Sequence, residues 1–320
     1  MAQPNLSQVV PGLGAALKSG FSDAFKVGAF QGGGTRGVMQ AAALAKLSPK
    51  FDLVAGTSVG SIVAGCVAAG VHPQAIIEFF TDLAPKIFSG DWWIPIHRLW
   101  RASKYPPDGL RAALTQVLGT RTLADCAVPF IATAFEMKTG RRAYFQSYGN
   151  VAVDADDDEI VIGPKSGMPL VDAMMASSAA QSYFPGHAWG GYLFWDGGST
   201  GFNAPDMLAL REAQLLANGG RIKMLSIGNG DTPWPYMNQD MTDPPIGSVL
   251  KATIGIAYSG PEEGMVWLAQ QELGPDYHRL NPVIADYAID DAGVAVLADM
   301  QRAALAALAK RPEIIMEFGG

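Results

Sequence analysis

The sequence predicts an α/β protein whose central sheet is mostly parallel, and three observations lead there. Short apolar runs with strand character alternate with stretches of helical spacing along the 320 residues. Three of those runs pass directly into glycine-rich turns, as strands do at the carboxyl edge of such a sheet. The composition, 49% hydrophobic against 17% charged, supplies enough apolar side chains for a sizeable core.

Taken in order, FKVGAF (25–30) reads as a strand that runs into QGGGTRG (31–37) and then a helix, VMQAAALAKL (38–47). FDLVAG (51–56) is a second strand, and SIVAGCVAAG (61–70) a small-residue helix after it. HPQAIIEFFTDLAPKIF (72–88) and DGLRAALTQVLG (108–119) carry apolar residues at helical spacing, the latter ending at Gly119. VPFIATAF and RRAYFQSY, joined by EMKTG, predict a hairpin. The acidic VDADDDEIVIG (153–163) is expected to be a solvated turn, without the glycine and alternating acids of a calcium loop. PLVDAMMASSAAQSYF begins as a helix, GYLFWDGG (191–198) ends a strand at an acidic turn, and RIKMLSIGNG (221–230) is a buried strand entering a glycine loop. The proline-rich 231–247 is a long loop with the character of a lid, followed by helices and one more strand, YHRLNP (277–282). No repeat or linker divides the chain. The expected organisation is an N-terminal extension (1–24) and one domain (25–320), its motif-bearing core at about 26–282 and terminal helices at 283–320.

Charge and composition exclude several functions. With 23 basic and 30 acidic residues the net charge is −7, which argues against a nucleic-acid polymer as partner. Cys66 and Cys126 have neither metal nor redox spacing, so a reducing, cytoplasmic setting is expected. The N-terminus lacks the basic start and apolar core of a secretory leader. The uncharged stretch LVAGTSVGSIVAGCVAAGV (53–71) is long enough to span a membrane, but four Gly, two Ser and one Thr make it a poor one.

The chemistry lies in the glycine-rich turns. In GGGTRG, consecutive backbone N–H groups free of side chains form a concave donor site, with Arg36 beside it, suited to a phosphate or an oxyanion. Gly32, Gly34 and Gly37 also satisfy G-x-G-x-x-G, which makes a non-hydrolytic nucleotide-binding module a rival; Asp52, however, precedes its strand instead of ending it. GTSVG, Gly56 to Gly60, matches G-x-S-x-G between a strand and a helix, where a nucleophilic Ser58 stands on a tight turn between small neighbours. In WDGGSTGFNAP, Asp196 closes a strand before Gly197 and Gly198, either capping its own turn or serving Ser58 as base. Of the four histidines, His72, His97, His187 and His278, none lies in a comparable loop; His278 would complete the order Ser–Asp–His of a histidine-assisted esterase or lipase.

GGGTRG, GTSVG and DGG, in this order and each after a strand, resemble the three signatures of the patatin-like phospholipase family. ASSAAQSYFP (176–185), DGGSTGFNAP with Asn203 and Pro205, and LSIGNG (225–230) are similar to it too, so the likeness runs from about Lys26 to about Pro282. Gln31 departs from the Asp that many members carry before the glycines, and Asn229 from their commoner Thr. The resemblance implies a three-layer α/β/α fold and a Ser–Asp dyad without His: Ser58 as nucleophile, Asp196 as base. It implies an oxyanion hole from Gly32, Gly33, Gly34 and Arg36, with Gly37, Gly56, Gly60, Gly197 and Gly198 supporting the motifs, and no metal or organic cofactor. The implied substrates are fatty-acyl esters of glycerophospholipids. Some members depend on an activating partner, and certain bacterial ones are switched on by nucleotide signals, so an activating ligand joins the expectation, as does a homo-oligomer. For docking on a lipid surface without spanning it, KIFSGDWWIPIHRLWR (86–101) offers Trp92, Trp93 and Trp100 among basic residues, with DTPWPYM as a second rim element.

Overall fold

The computed structural model describes residues 24–88, 103–232, 240 and 242–320. Its strands are β1 (Phe25–Phe30), β2 (Leu53–Thr57), β3 (Phe130–Glu136), β4 (Arg141–Gln146), β5 (Val153–Ala155), β6 (Glu159–Ile162), β7 (His187–Trp189), β8 (Tyr192–Asp196), β9 (Ile222–Ile227) and β10 (Tyr277–Leu280). They form one sheet in the order β10-β9-β1-β2-β3-β4-β6-β5, with the β7–β8 hairpin attached to β3. The five strands from β10 to β3 are parallel, so their carboxyl ends open on one edge. As predicted, β3 and β4 form an antiparallel hairpin.

Alternation along the central strands sorts side chains into two cores. Phe30, Val54, Phe130 and Ala132 face one core; Val27, Ala29, Leu53, Ala55 and Ile131 face the other. On the first face pack α1 (Gly37–Leu47), α2 (Val59–Ala68), α3 (Pro73–Glu78), α4 (Ala84–Phe88), α5 (Pro107–Leu118), α6 (Leu170–Ser177) and, from the C-terminal part, α9 (Val294–Ala309) and α10 (Pro312–Phe318). The second face is covered by α7 (Asp206–Leu216) and α8 (Ile246–Leu273), through Leu208, Ala209, Leu210, Ala213 and Ala269. The result is a three-layer α/β/α arrangement.

One feature of register places the site. The edge of β3 away from β4 is shared by two strands. Thr57, the last residue of β2, pairs with Thr133, and the next residue of β3, Ala134, pairs with Asp196, the last of the antiparallel β8. β2 and β8 therefore meet nearly end to end along β3, and the chain leaves both strands at the same point. No helix among the described residues is long and apolar enough to cross a membrane. The uncharged 53–71 stretch is instead β2, a turn and α2, both elements buried.

Three expectations need correction. The acidic 153–163 stretch is a β5–β6 hairpin, not a solvated turn throughout. Only its tip is a turn, where Asp156 Oδ1 accepts from the N–H groups of Asp158 and Glu159 at 2.8 Å each, while Ile160 and Ile162 reach the core. The helix foreseen over 72–88 is α3 and α4 joined by a π-helical turn, Phe79–Leu83. Phe79 and Phe80 of that turn are both buried, and an added Cβ on Gly37 would stand 2.6 Å from Phe80 Cζ, so Phe80 seats against α1 with Phe79 in edge contact with it. Helix α7, with Leu208, Ala209 and Ala213 buried at helical spacing, was not anticipated. The lid-like 231–247 lies partly outside the described residues.

Candidate active site

Ser58 sits between β2 and α2 with φ 54 and ψ −127, a backbone conformation that a non-glycine residue adopts only when its surroundings enforce it. Those surroundings are the two glycines of GTSVG. A Cβ on Gly60 would lie 2.1 Å from the Phe30 carbonyl oxygen, and one on Gly56 2.2 Å from the Gly60 carbonyl oxygen. Strand, turn and helix can close this tightly only with hydrogen at both positions. The Ser58 N–H donates to Ser177 Oγ at 3.0 Å, and the Ser58 carbonyl accepts from Ser61 N (2.9 Å) and Ser61 Oγ (2.6 Å), which fixes the turn from both sides. As N-cap of α2, Ser58 also stands at the positive end of the helix dipole.

The register described above delivers Asp196 to the same place. It is buried, and its carboxylate accepts the Ser58 hydroxyl. Its Oδ1 also accepts from Gly198 N–H at 2.7 Å, so Gly198 helps to orient it while Gly197 packs on Thr133. Burial pushes the Asp196 pKa up to about 6, against the lowering effect of the Ser58 and Gly198 hydrogen bonds. The carboxylate is thus ionised at neutral pH, yet more basic than an ordinary one.

The glycine-rich loop borders this pair. A Cβ on Gly32 would lie 3.0 Å from Ser58 Cβ. Gly32 N–H is engaged with the Asn203 carbonyl at 2.9 Å, so it is not a free donor. Gly34 has φ +59, and a Cβ there would meet the Ile289 carbonyl oxygen at 1.9 Å. Gly37 begins α1. The C-terminal segment clasps the loop: Thr35 N–H donates to Ile289 O (2.7 Å), Thr35 Oγ1 to Asp291 O (2.9 Å), and Arg36 Nη2 to Tyr287 O. Arg36 therefore braces the loop against residues 287–291; partial burial lowers its pKa, opposed by Asp286.

The described histidines are occupied elsewhere. His278 pairs with Glu317 at 3.1 Å on β10, three strands from β2 and on the order of 14 Å away. His187 pairs with Asp172 at 3.0 Å, and His72 accepts from Gln74 N–H. Asp52 accepts from Lys26 N–H at the amino end of β2, remote from the glycine loop, so neither rival reading gains its key residue. His97, Trp92, Trp93, Trp100 and the 233–239 rim lie outside the described residues. Sequence reasoning missed Gln40, Ser177 and Glu262. Gln40, fully buried, was visible as a lone polar side chain in an apolar helix; the other two had no local signal.

Fold and site together define a class of protein: a three-layer α/β/α architecture with a strained serine on a buried carboxylate, at the carboxyl edge of the sheet. A family model described as Patatin-like phospholipase matches residues 28–209, and the chain belongs to that family, whose relatives are hydrolases of lipid esters. Over 270 residues it is 26% identical to a cGAMP-activated phospholipase of Pseudomonas aeruginosa, covering 80% of this chain and 78% of that protein. A cGAMP-activated phospholipase of Escherichia coli is 29% identical over 206 residues, 58% of this chain and 55% of its own length. The rabbit (Oryctolagus cuniculus) calcium-independent phospholipase A2-gamma is 27% identical over 275 residues, which is 80% of this chain but 34% of that one.

Proposed function

We propose that this chain hydrolyses fatty-acyl esters of glycerophospholipids with Ser58 as nucleophile and Asp196 as its base. The observation that carries the reading is the hydrogen bond from the Ser58 hydroxyl to a buried carboxylate, made on a strained strand-to-helix turn. Asp196 accepts the Ser58 proton as Oγ attacks the ester carbonyl. The N–H groups of Gly33 and Gly34 take the developing oxyanion, and the α2 dipole favours the same charge. Collapse of the tetrahedral intermediate returns the proton to the leaving alcohol and leaves an acyl-serine. Water, deprotonated by Asp196, then releases the fatty acid.

The enzyme works at a lipid surface as a peripheral protein of the cytoplasm, and an activating ligand belongs to the same reading. Relatives named as cGAMP-activated and cUMP-AMP-activated phospholipases support a cyclic dinucleotide in that role. The test is fatty-acid release from mixed phospholipid vesicles, with and without cyclic dinucleotides, comparing the parent with Ser58→Ala and Asp196→Asn. Both variants are expected to lose at least about 10³-fold. Full activity in either one sinks the mechanism, and a rate indifferent to every cyclic dinucleotide removes the activator.

A further inference from the structure

The glycine loop is held by a set of buried and half-buried amides whose arrangement has a directional consequence. Gly32 is gripped at both of its main-chain polar groups. Its N–H donates to the Asn203 carbonyl (2.9 Å), and its carbonyl accepts from Asn203 Nδ2 (3.3 Å) and from Asn229 Nδ2. Each amide is itself oriented. Gln40 Nε2 donates to Asn229 Oδ1 at 3.1 Å, which turns the Asn229 NH2 toward Gly32. Glu262 Oε2 accepts from Asn203 Nδ2 at 2.6 Å, and Glu262 Oε1 accepts from Gln31, whose own oxygen accepts from Arg279. Asn229 is 3% exposed, and a Cβ on Gly33 would lie 2.4 Å from its Nδ2, so the amide packs directly on the loop.

A trans peptide is planar, with its C=O and N–H on opposite edges. Anchoring the Gly32 oxygen therefore fixes the direction of the next N–H, that of Gly33. We propose that Asn229, oriented by Gln40, is a positioning residue that sets the Gly32–Gly33 peptide plane and so aims the Gly33 N–H at the oxyanion; this rests on the hydrolase reading above. Asn203, oriented by Glu262, donates to the same carbonyl oxygen at the longer distance of 3.3 Å. The requirement is a hydrogen-bond donor at position 229, which a Thr hydroxyl also supplies and a Val of the same shape does not. Gln31 belongs to the same set: its amide satisfies Arg279 with one end and Glu262 with the other, whereas an Asp there would face Glu262 with like charge.

The experiment compares Asn229→Thr with Asn229→Val, beside the parent and Ser58→Ala, in fatty-acid release below the melting transition of each protein. The Thr variant is expected to keep kcat within about threefold, and the Val variant to lose about 10–100-fold in kcat with KM unchanged. Equal kcat for Thr and Val, or a change confined to KM, overturns the proposal. A parent no faster than Ser58→Ala defeats the hydrolase reading instead. In that event the amide resonance of Gly33 in the resting protein still decides: it moves further in the Val variant than in the Thr variant if residue 229 sets the plane, and equal displacements overturn it.

Discussion

At the scale of single residues, Asp196 carries two opposed consequences of one burial. Its raised pKa, about 6, makes it a stronger base than a surface carboxylate, and the rate should follow its ionised fraction. Release of fatty acid is expected to rise through pH 6 to a plateau above it, and a profile flat down to pH 5 would remove Asp196 as the base. The same lift means that the folded state holds the proton more tightly than the unfolded chain. Stability therefore declines as pH rises from about 4 to 6, by up to roughly 3 kcal/mol. Asp196→Asn is expected to melt higher than the parent at pH 8 and no higher at pH 4, read by thermal denaturation across pH. Ser58 and Asp196 were both legible in the sequence because turn motifs record local backbone constraints. Ser177 and Glu262 were not, because their roles come from contacts far along the chain, and Gln40 showed only as a polar residue in an apolar helix.

At the scale of elements, tight closure of the β2–Ser58–α2 turn depends on Gly60 meeting the end of β1. Gly60→Ala would place a methyl against the Phe30 carbonyl, where backbone must yield, and is expected to cost at least about 1–3 kcal/mol with loss of activity. Gly109→Ala, on an exposed turn of α5 with its nearest neighbour at 3.8 Å, should be neutral or stabilising by up to about 1 kcal/mol. Urea denaturation of the two variants checks the contrast, and similar losses would undo the steric account. Most elements were readable because α5 buries Leu110, Ala113, Leu114 and Leu118 at helical spacing, and β1 and β2 are short apolar runs that pass into glycine-rich turns. The β5–β6 hairpin was hidden by its charged tip, although Ile160 and Ile162 alternate as a half-buried strand should. The π turn had no sequence signal, since a single extra residue disturbs helical spacing too little to be seen in one turn.

At the scale of the molecule, the parallel half of the sheet gathers the ends of β1, β2 and β9 on one edge, while an antiparallel strand brings in the carboxylate. The α/β class could be foretold from alternation, but not the strand order, because pairing partners lie far apart in sequence. Trp92→Ala together with Trp93→Ala is expected to weaken binding to phospholipid vesicles by at least about tenfold while sparing hydrolysis of a soluble ester. Unchanged vesicle binding would reject docking through this segment.

The end-to-end meeting of β2 and β8 along β3 also governs when the protein can act. During synthesis Ser58 emerges from the ribosome early, with its turn encoded nearby, whereas Asp196 follows only after β3, β4 and the β5–β6 hairpin. A nascent chain therefore displays the serine without its carboxylate partner, and the two meet only when β8 docks beside the end of β2. The pairing of Ser58 with Asp196 is thereby withheld until the sheet is built.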